Sequence, residues 1–358
     1  MTQTVYVGMS GGVDSSVAAA LAAEQGFEVV GIYMKNWAKD LPGFECPWRD
    51  DLADAKRVAV QLGIRLEVFD FQDAYKQKVV DYMLDAYRSG ITPNPDIMCN
   101  QEIKFKVFLD AALDDGADLI ATGHYARTKD GQLLQAADQD KDQTYFLYRV
   151  QEAALQKTLF PLGDFTKTQV RQMAQERGLV TAKKKESMGI CFVGKIGVKD
   201  FLSQYVETEP GEIVDPNGKV LGQHDGAIFY TIGQRHGLQV GGGLPLYVVD
   251  KDMANNTVTV TSDIDDDRLW TTNATLVSWH SINADPQTGV SYQVRSRHRA
   301  PLVEAELESF DTSARKAEVS FKEPTRAITP GQSLVFYDGD RVVGGGIIGR
   351  NLKKGESA

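Results

Sequence analysis

Through the first third of the chain, short apolar runs alternate with amphipathic stretches. TVYVGM (4–9), FEVVGIYM (27–34), IRLEVFDF (64–71) and ADLIATGHY (117–125) are rich in β-branched and aromatic residues and nearly continuous in their apolar character. Each reads as a strand buried on both faces. Between them, SSVAAALAAEQG (15–26), DDLADAKRVAVQLG (50–63), the stretch 73–88 and EIKFKVFLDAALDDG (102–116) place apolar residues at helical spacing, with Gly26 and Gly63 at helix ends. This β-α-β-α order predicts an α/β fold built on a Rossmann-like parallel sheet with helices on both faces. After about residue 205 the pattern changes to short strands between turn signals, including Asp215–Gly218 and Asp338–Gly339 as hairpin turns. That half is predicted to be antiparallel: a small β-rich central domain, then a C-terminal antiparallel β-barrel. The expected division is 1–204, 205–270 and 271–358.

Composition narrows the class. The chain of 358 residues is 42% hydrophobic and 25% charged, and no apolar run approaches the roughly 20 residues of a bilayer span. No basic region precedes the first apolar run, so a cytoplasmic protein without membrane contact is expected. A net charge of -10 argues against nonspecific coating of nucleic acid and leaves room for a local basic groove. Three cysteines without a C-x-x-C pair fit neither a disulfide framework nor a zinc knuckle.

GMSGGVDSS (8–16) lies between the first strand and the first helix, where backbone amides and the helix dipole attract anions. Ser10, Ser15 and Ser16 add hydroxyl donors, and Asp14 is a candidate magnesium ligand. The loop has no lysine and does not match G-x-x-x-x-G-K-[ST], so a Walker-type grip on β and γ phosphates is disfavoured. SGGVDSS resembles the pyrophosphatase loop of the ATP pyrophosphatases, which cleave ATP between its α and β phosphates and adenylate a second substrate. That resemblance implies an adenine nucleotide alpha-hydrolase-like domain, with ATP held by Gly8, Met9, Ser10, Gly11, Gly12, Val13, Asp14, Ser15 and Ser16.

Further segments resemble the bacterial tRNA-specific 2-thiouridylases, the MnmA family: NPDIMCN (94–100), ATGHYAR (121–127), KDQTYFLY (141–148), GICFVGK (189–195), YTIGQRHGL (230–238) and TPGQSLVFYDGD (329–340). By residue chemistry alone, Cys99 and Cys191 read more readily as packing residues than as nucleophiles. The resemblance makes Cys99 the nucleophile and Cys191 the carrier of a persulfide, with Asp96 a candidate acid or base. It implies ATP-dependent 2-thiolation of the wobble uridine in the tRNAs for lysine, glutamate and glutamine. A persulfide donor (a cysteine desulfurase or relay protein) and an external reductant are implied partners. Cys46 reads as structural, and Met188 departs from a glutamine frequent in the family.

Gly123 at the carboxyl edge and Met34 at the end of the second strand are candidate adenosine contacts, Met34 reading equally as a core methionine, and the same resemblance places Asn94, Pro95, Asp96, His124, Lys141, Asp142, Gln143 and Gln332 at the tRNA. VRSRHRA adds Arg295, Arg297, His298 and Arg299, the sharpest positive cluster in an acidic chain, as a candidate RNA-backbone footprint. Lys183 to Lys185 read as a solvated basic face that could also guide RNA. Two other classes stay open on the residues alone: a pyrophosphatase-loop ligase forming an amide or C–N bond, and a noncatalytic tRNA-binding protein.

Overall fold

Four of the five residues of β1 (Thr4–Gly8) are buried, and the strand takes the centre of a parallel sheet. With β2 (Glu28–Lys35), β3 (Arg65–Asp70), β4 (Leu119–Ala121) and β7 (Thr158–Leu159), the order is β3-β2-β1-β4-β7. In this computed structural model the described residues are 2–40, 46–185, 197–238, 240–241 and 243–350. Cys191 and Met188 lie outside them.

Alternation along β1 builds two cores. Val5 and Val7 join a cluster with α1 (Val13–Glu24), α2 (Trp48–Leu62) and α5 (Lys167–Glu176), while Tyr6 joins a larger one with the helical stretches α3 (72–88) and α4 (95–114). The Rossmann-like expectation therefore holds, with helices on both faces.

α4 begins earlier than the sequence pattern predicts. Pro93 and Pro95 read as an extended loop running up to Cys99, whereas Pro95 occupies the first helical position and Asn94 caps it, accepting from Ile97 N at 3.4 Å. From Cys99 to Val107 the winding is π-helical, kinked at Phe105, which leaves helical geometry (φ -104°, ψ 17°).

The C-terminal barrel consists of β12 (Trp270–Ser281), β13 (Ser291–Arg295), β14 (Val303–Asp311), β15 (Lys316–Arg326), β16 (Ser333–Asp338) and β17 (Arg341–Ile348). The order β12-β15-β14-β13-β16-β17 closes through pairing of β12 with β17. Gly344 permits that closure, because a Cβ there would lie 2.2 Å from His280 O. An early hairpin, β5 (Arg127–Lys129) and β6 (Gln132–Leu134), adds to the outside of β17. A segment from the sheet domain thus completes the barrel sheet, which the sequence pattern did not predict.

The central module has β8 (Gly211–Val214), β9 (Val220–His224), β10 (Tyr247–Asp252) and β11 (Thr257–Thr261) in the order β10-β11-β8-β9. Its β8–β11 pair is parallel, correcting the wholly antiparallel expectation. Among the described residues, no helix is long and apolar enough to cross a membrane.

Candidate active site

The glycine loop leaves β1 and turns into α1 with no capping side chain on Gly12. The first amides of the helix therefore stay available to an anion. Gly11 sits at φ 71°, and a Cβ would be 2.2 Å from Asp51 O; at Gly123 it would be 2.8 Å from Ser15 N. Both positions need glycine. The turn is tied internally, Ser10 N donating to Ser15 Oγ at 3.1 Å and Ser16 Oγ to Gly12 O at 2.7 Å. Thr181 Oγ1 donates to Ser16 Oγ at 3.0 Å, so this fully buried hydroxyl secures the loop. Met9 and Val13 are buried packing residues, and a Cβ on Gly8 would meet the Met34 methyl at 2.9 Å, placing Met34 against the loop.

The lysine that the loop lacks comes from elsewhere in the fold. Lys167, buried at the start of α5, donates to both Asp14 oxygens at 2.7 Å, and Tyr125 OH donates to Oδ1 at 3.0 Å. Asp14 and Lys167 are 153 positions apart, which hides the pair from motif reading. The legible signal was the Thr166–Gln169 capping box, which marks the helix start and puts Lys167 in its first turn. Lys184 is also engaged, donating to Asp51 Oδ1 at 2.8 Å and Asp54 Oδ2 at 2.6 Å. That pairing corrects the solvated reading of this lysine.

Asp96, Cys99 and Lys104 lie on α4, and Lys104 reaches His124 in the turn after β4. Cys99 is buried in the larger cluster. Burial raises the Asp96 carboxyl above its usual range, and Lys104 opposes the shift. His124 is held far below an ordinary histidine by burial and, secondarily, by Lys104. Its Nδ1 lies 2.8 Å from Thr122 Oγ1 and its Nε2 3.4 Å from Lys104 Nζ. An ammonium has no acceptor, so Nε2 accepts and Nδ1 carries the proton. The rings of Phe105 and Phe160 pack on the imidazole at 5.7 and 6.1 Å. Sequence reading missed Lys104 because nothing in EIKFK separates it from a solvated helix lysine.

Several residues expected at RNA also make internal contacts, most of them at the joint between the sheet domain and the β modules. Asp142 is 1% exposed; it accepts from Ala136 N at 3.0 Å and Thr144 Oγ1 at 2.6 Å and faces Arg295 at 3.7 Å. Its side chain has no surface to offer RNA, because desolvating a carboxylate there requires these internal partners. Gln143 Oε1 accepts from Tyr125 N at 2.9 Å. Arg297 donates to Ile232 O at 3.1 Å, Ala327 O at 3.2 Å and Thr329 Oγ1 at 2.7 Å. His298 packs on Phe146 at 4.7 Å, and burial, with Arg299, Arg295 and Lys141 around it, lowers it to about 4. Gln332 donates to Thr92 O at 2.9 Å and Pro93 O at 3.2 Å, so the barrel grips the loop before Asn94. Lys141 is half-buried, and Arg299 is exposed at positive φ (63°).

Three family models match in succession: one described as tRNA methyl transferase HUP domain over residues 3–195, one as tRNA methyl transferase PRC-barrel domain over 199–262, and one as Aminomethyltransferase beta-barrel domain over 271–348. Fold and site define a HUP-domain protein followed by two β modules. The tRNA-specific 2-thiouridylase MnmA of Methylobacillus flagellatus is 48% identical over 358 residues, covering 97% of this chain and 99% of its own. That of Listeria innocua is 48% identical over 359 residues, covering 98% and 96%. The chain belongs to the tRNA-specific 2-thiouridylase MnmA family. Among solved structures, a 4-thiouridine synthetase–RNA complex with bound ATP aligns with 56% of this chain and 50% of its own, at 18% identity and a TM-score of 0.35.

Proposed function

We propose that this chain is an ATP-dependent tRNA-uridine 2-sulfurtransferase acting on the wobble uridine. Identity to 2-thiouridylases over nearly the whole length supports the substrate and product. The observation that carries the chemistry is the meeting of two groups at one sheet edge. The helix that carries Asp96 and Cys99 reaches His124 through Lys104, and Gly123 next to it packs against the start of α1 in the glycine loop. Open parallel sheets bind ligands at this carboxyl edge.

ATP phosphates suit the uncapped start of α1, with Ser10 and Ser15 hydroxyls alongside. The uracil 2-oxygen, a poor leaving group, attacks the α phosphorus and releases pyrophosphate. Asp96 takes up the proton that the base gives up on activation. Sulfur carried as a persulfide on Cys191 is delivered to C2, and AMP departs with the old oxygen. Cys99 attacks the persulfide, either freeing its terminal sulfur or closing a disulfide with Cys191 after transfer; an external dithiol then returns both cysteines to thiols. A cysteine desulfurase or relay protein supplies the persulfide. Magnesium, expected at Asp14, must displace Lys167 from both carboxylate oxygens to bind there.

A pyrophosphate-release assay tests the order of events. Release that requires tRNA, and persists in Cys99→Ser and Cys191→Ser while both variants lose 2-thiouridine formation, is the expected result. Release stimulated by an amine donor in place of tRNA would favour the ligase reading instead.

A further inference from the structure

Lys167 is buried, and its ammonium donates to both oxygens of Asp14 at 2.7 Å. Asp14 stands in the first turn of α1, whose leading amides have no side-chain cap. A carboxylate there satisfies the helix dipole in place of an external anion, and it repels phosphate. Lys167 cancels that negative charge, and in doing so its own charge is spent on Asp14. The ammonium also lies 5.7 Å from the centroid of the Tyr125 ring, whose hydroxyl donates to Asp14 Oδ1 at 3.0 Å. The backbone of Lys167 is fixed: its N–H donates to Asp138 Oδ2 at 2.8 Å, and the Thr166–Gln169 capping box holds the turn. Its four-carbon stem is flexible. Because the ammonium already touches the first turn of α1, rotation of that stem is enough to exchange the carboxylate for an anion held by the neighbouring amides.

Resting on the thiolation reading above, we propose that Lys167 binds the leaving pyrophosphate, and that Asp14 releases it for this role on taking up magnesium. At rest the charges of Asp14 and Lys167 cancel. With its carboxylate on a divalent cation, Asp14 frees the ammonium, and the same place then carries two net positive charges beside the amides of α1. That is where the leaving phosphate gains negative charge as its bond to the α phosphorus breaks. The exchange moves charges and transfers no proton. The pair makes the loop a poor anion site without metal and a strong one with it, so the magnesium complex of ATP is selected over free ATP.

Calorimetric binding of inorganic pyrophosphate to the full-length protein tests this without turnover. In the absence of divalent cations, Asp14→Asn should bind pyrophosphate about tenfold more tightly than wild type, because the ammonium is left with a neutral acceptor and a hydrogen bond between charged groups contributes on that scale. Adding Lys167→Met to Asp14→Asn should remove the gain. With magnesium present, Lys167→Met should bind pyrophosphate about tenfold more weakly than wild type, and Lys167→Arg should recover part of the loss. An Asp14→Asn protein that binds no more tightly without metal overturns the proposal. So does a gain that survives Lys167→Met; either result makes the pair a structural one. If Asp14→Asn does not fold, the Lys167 ε-carbon resonance of labelled wild-type protein, assigned through Lys167→Arg, carries the test. It should shift when magnesium pyrophosphate is added, and an unmoved resonance overturns the proposal. Wild-type protein that binds magnesium pyrophosphate as expected yet forms no 2-thiouridine contradicts the thiolation reading alone.

Discussion

Arg297 shows how residue type and residue place can point in different directions. In the sequence it belongs to a basic cluster suited to phosphate; in the structure its guanidinium serves three acceptors from two β modules. Arg297→Ala should lower stability to urea by about 2–4 kcal/mol, since several acceptors lose a charged donor. Unchanged stability with weakened tRNA binding would restore the RNA reading. Asp142→Ala should be as harmful, by about 3–5 kcal/mol, because it leaves Arg295 buried without its counter-charge. Histidines offer a third check at this scale. Burial holds His280 and His298 at about 4, below the unfolded value, so both are neutral when folded. Their contribution to stability is complete above about pH 6.5 and is lost as pH falls toward 4. Proton NMR should show both rings titrating near 4, and midpoints near 6.5 would contradict their burial.

At the scale of elements, the loop from Ile91 to Asn94 links the barrel to the chemistry. Gly331 sits at φ 90°, and a Cβ there would lie 2.1 Å from Ile91 Cγ2 and 2.8 Å from Thr92 O. Thr92 Oγ1 also meets Thr231 Oγ1 at 3.1 Å. Gly331→Ala should displace the loop, and with it the helix start holding Asp96, so thiolation falls at least tenfold while ATP affinity is kept. Equal loss of ATP affinity would place the damage elsewhere. This linkage was not legible in the sequence. Strands β1 and β2 were, because burial on both faces writes continuous apolar runs, whereas β3, expected to be buried on both faces, keeps none of its six residues buried; β7, with two residues, is too short to leave a pattern. Pro95 misled for a physical reason: proline opens a helix as readily as it ends one, and only the Asn94 cap decides between them.

Across the whole molecule, the sheet domain and the barrel share structure. The hairpin of β5 and β6 extends the barrel sheet, Tyr145 OH donates to Ser296 O and Ser333 O at 3.2 and 3.1 Å, and Asp142 faces Arg295. Ending the chain after residue 270 should therefore expose the β6 edge and a buried carboxylate, giving aggregation or a large fall in Tm. A truncated protein that melts like the intact one would contradict this joint. The sequence pattern separated the three regions but did not reveal their joint, since its contacts join residues more than a hundred positions apart. Likewise the glycine loop was legible as a motif, while its lysine was not.

The central claim is sulfur transfer to tRNA, and nucleoside mass spectrometry tests it most directly. Purified protein is incubated with ATP, magnesium, a persulfide source and unmodified tRNA, and the digested RNA is analysed. The account expects 2-thiouridine at the wobble position, absent without ATP and absent with Cys99→Ser. Folded wild-type protein that binds ATP and tRNA yet leaves the uridine unmodified, or Cys99→Ser protein that thiolates fully, would contradict it.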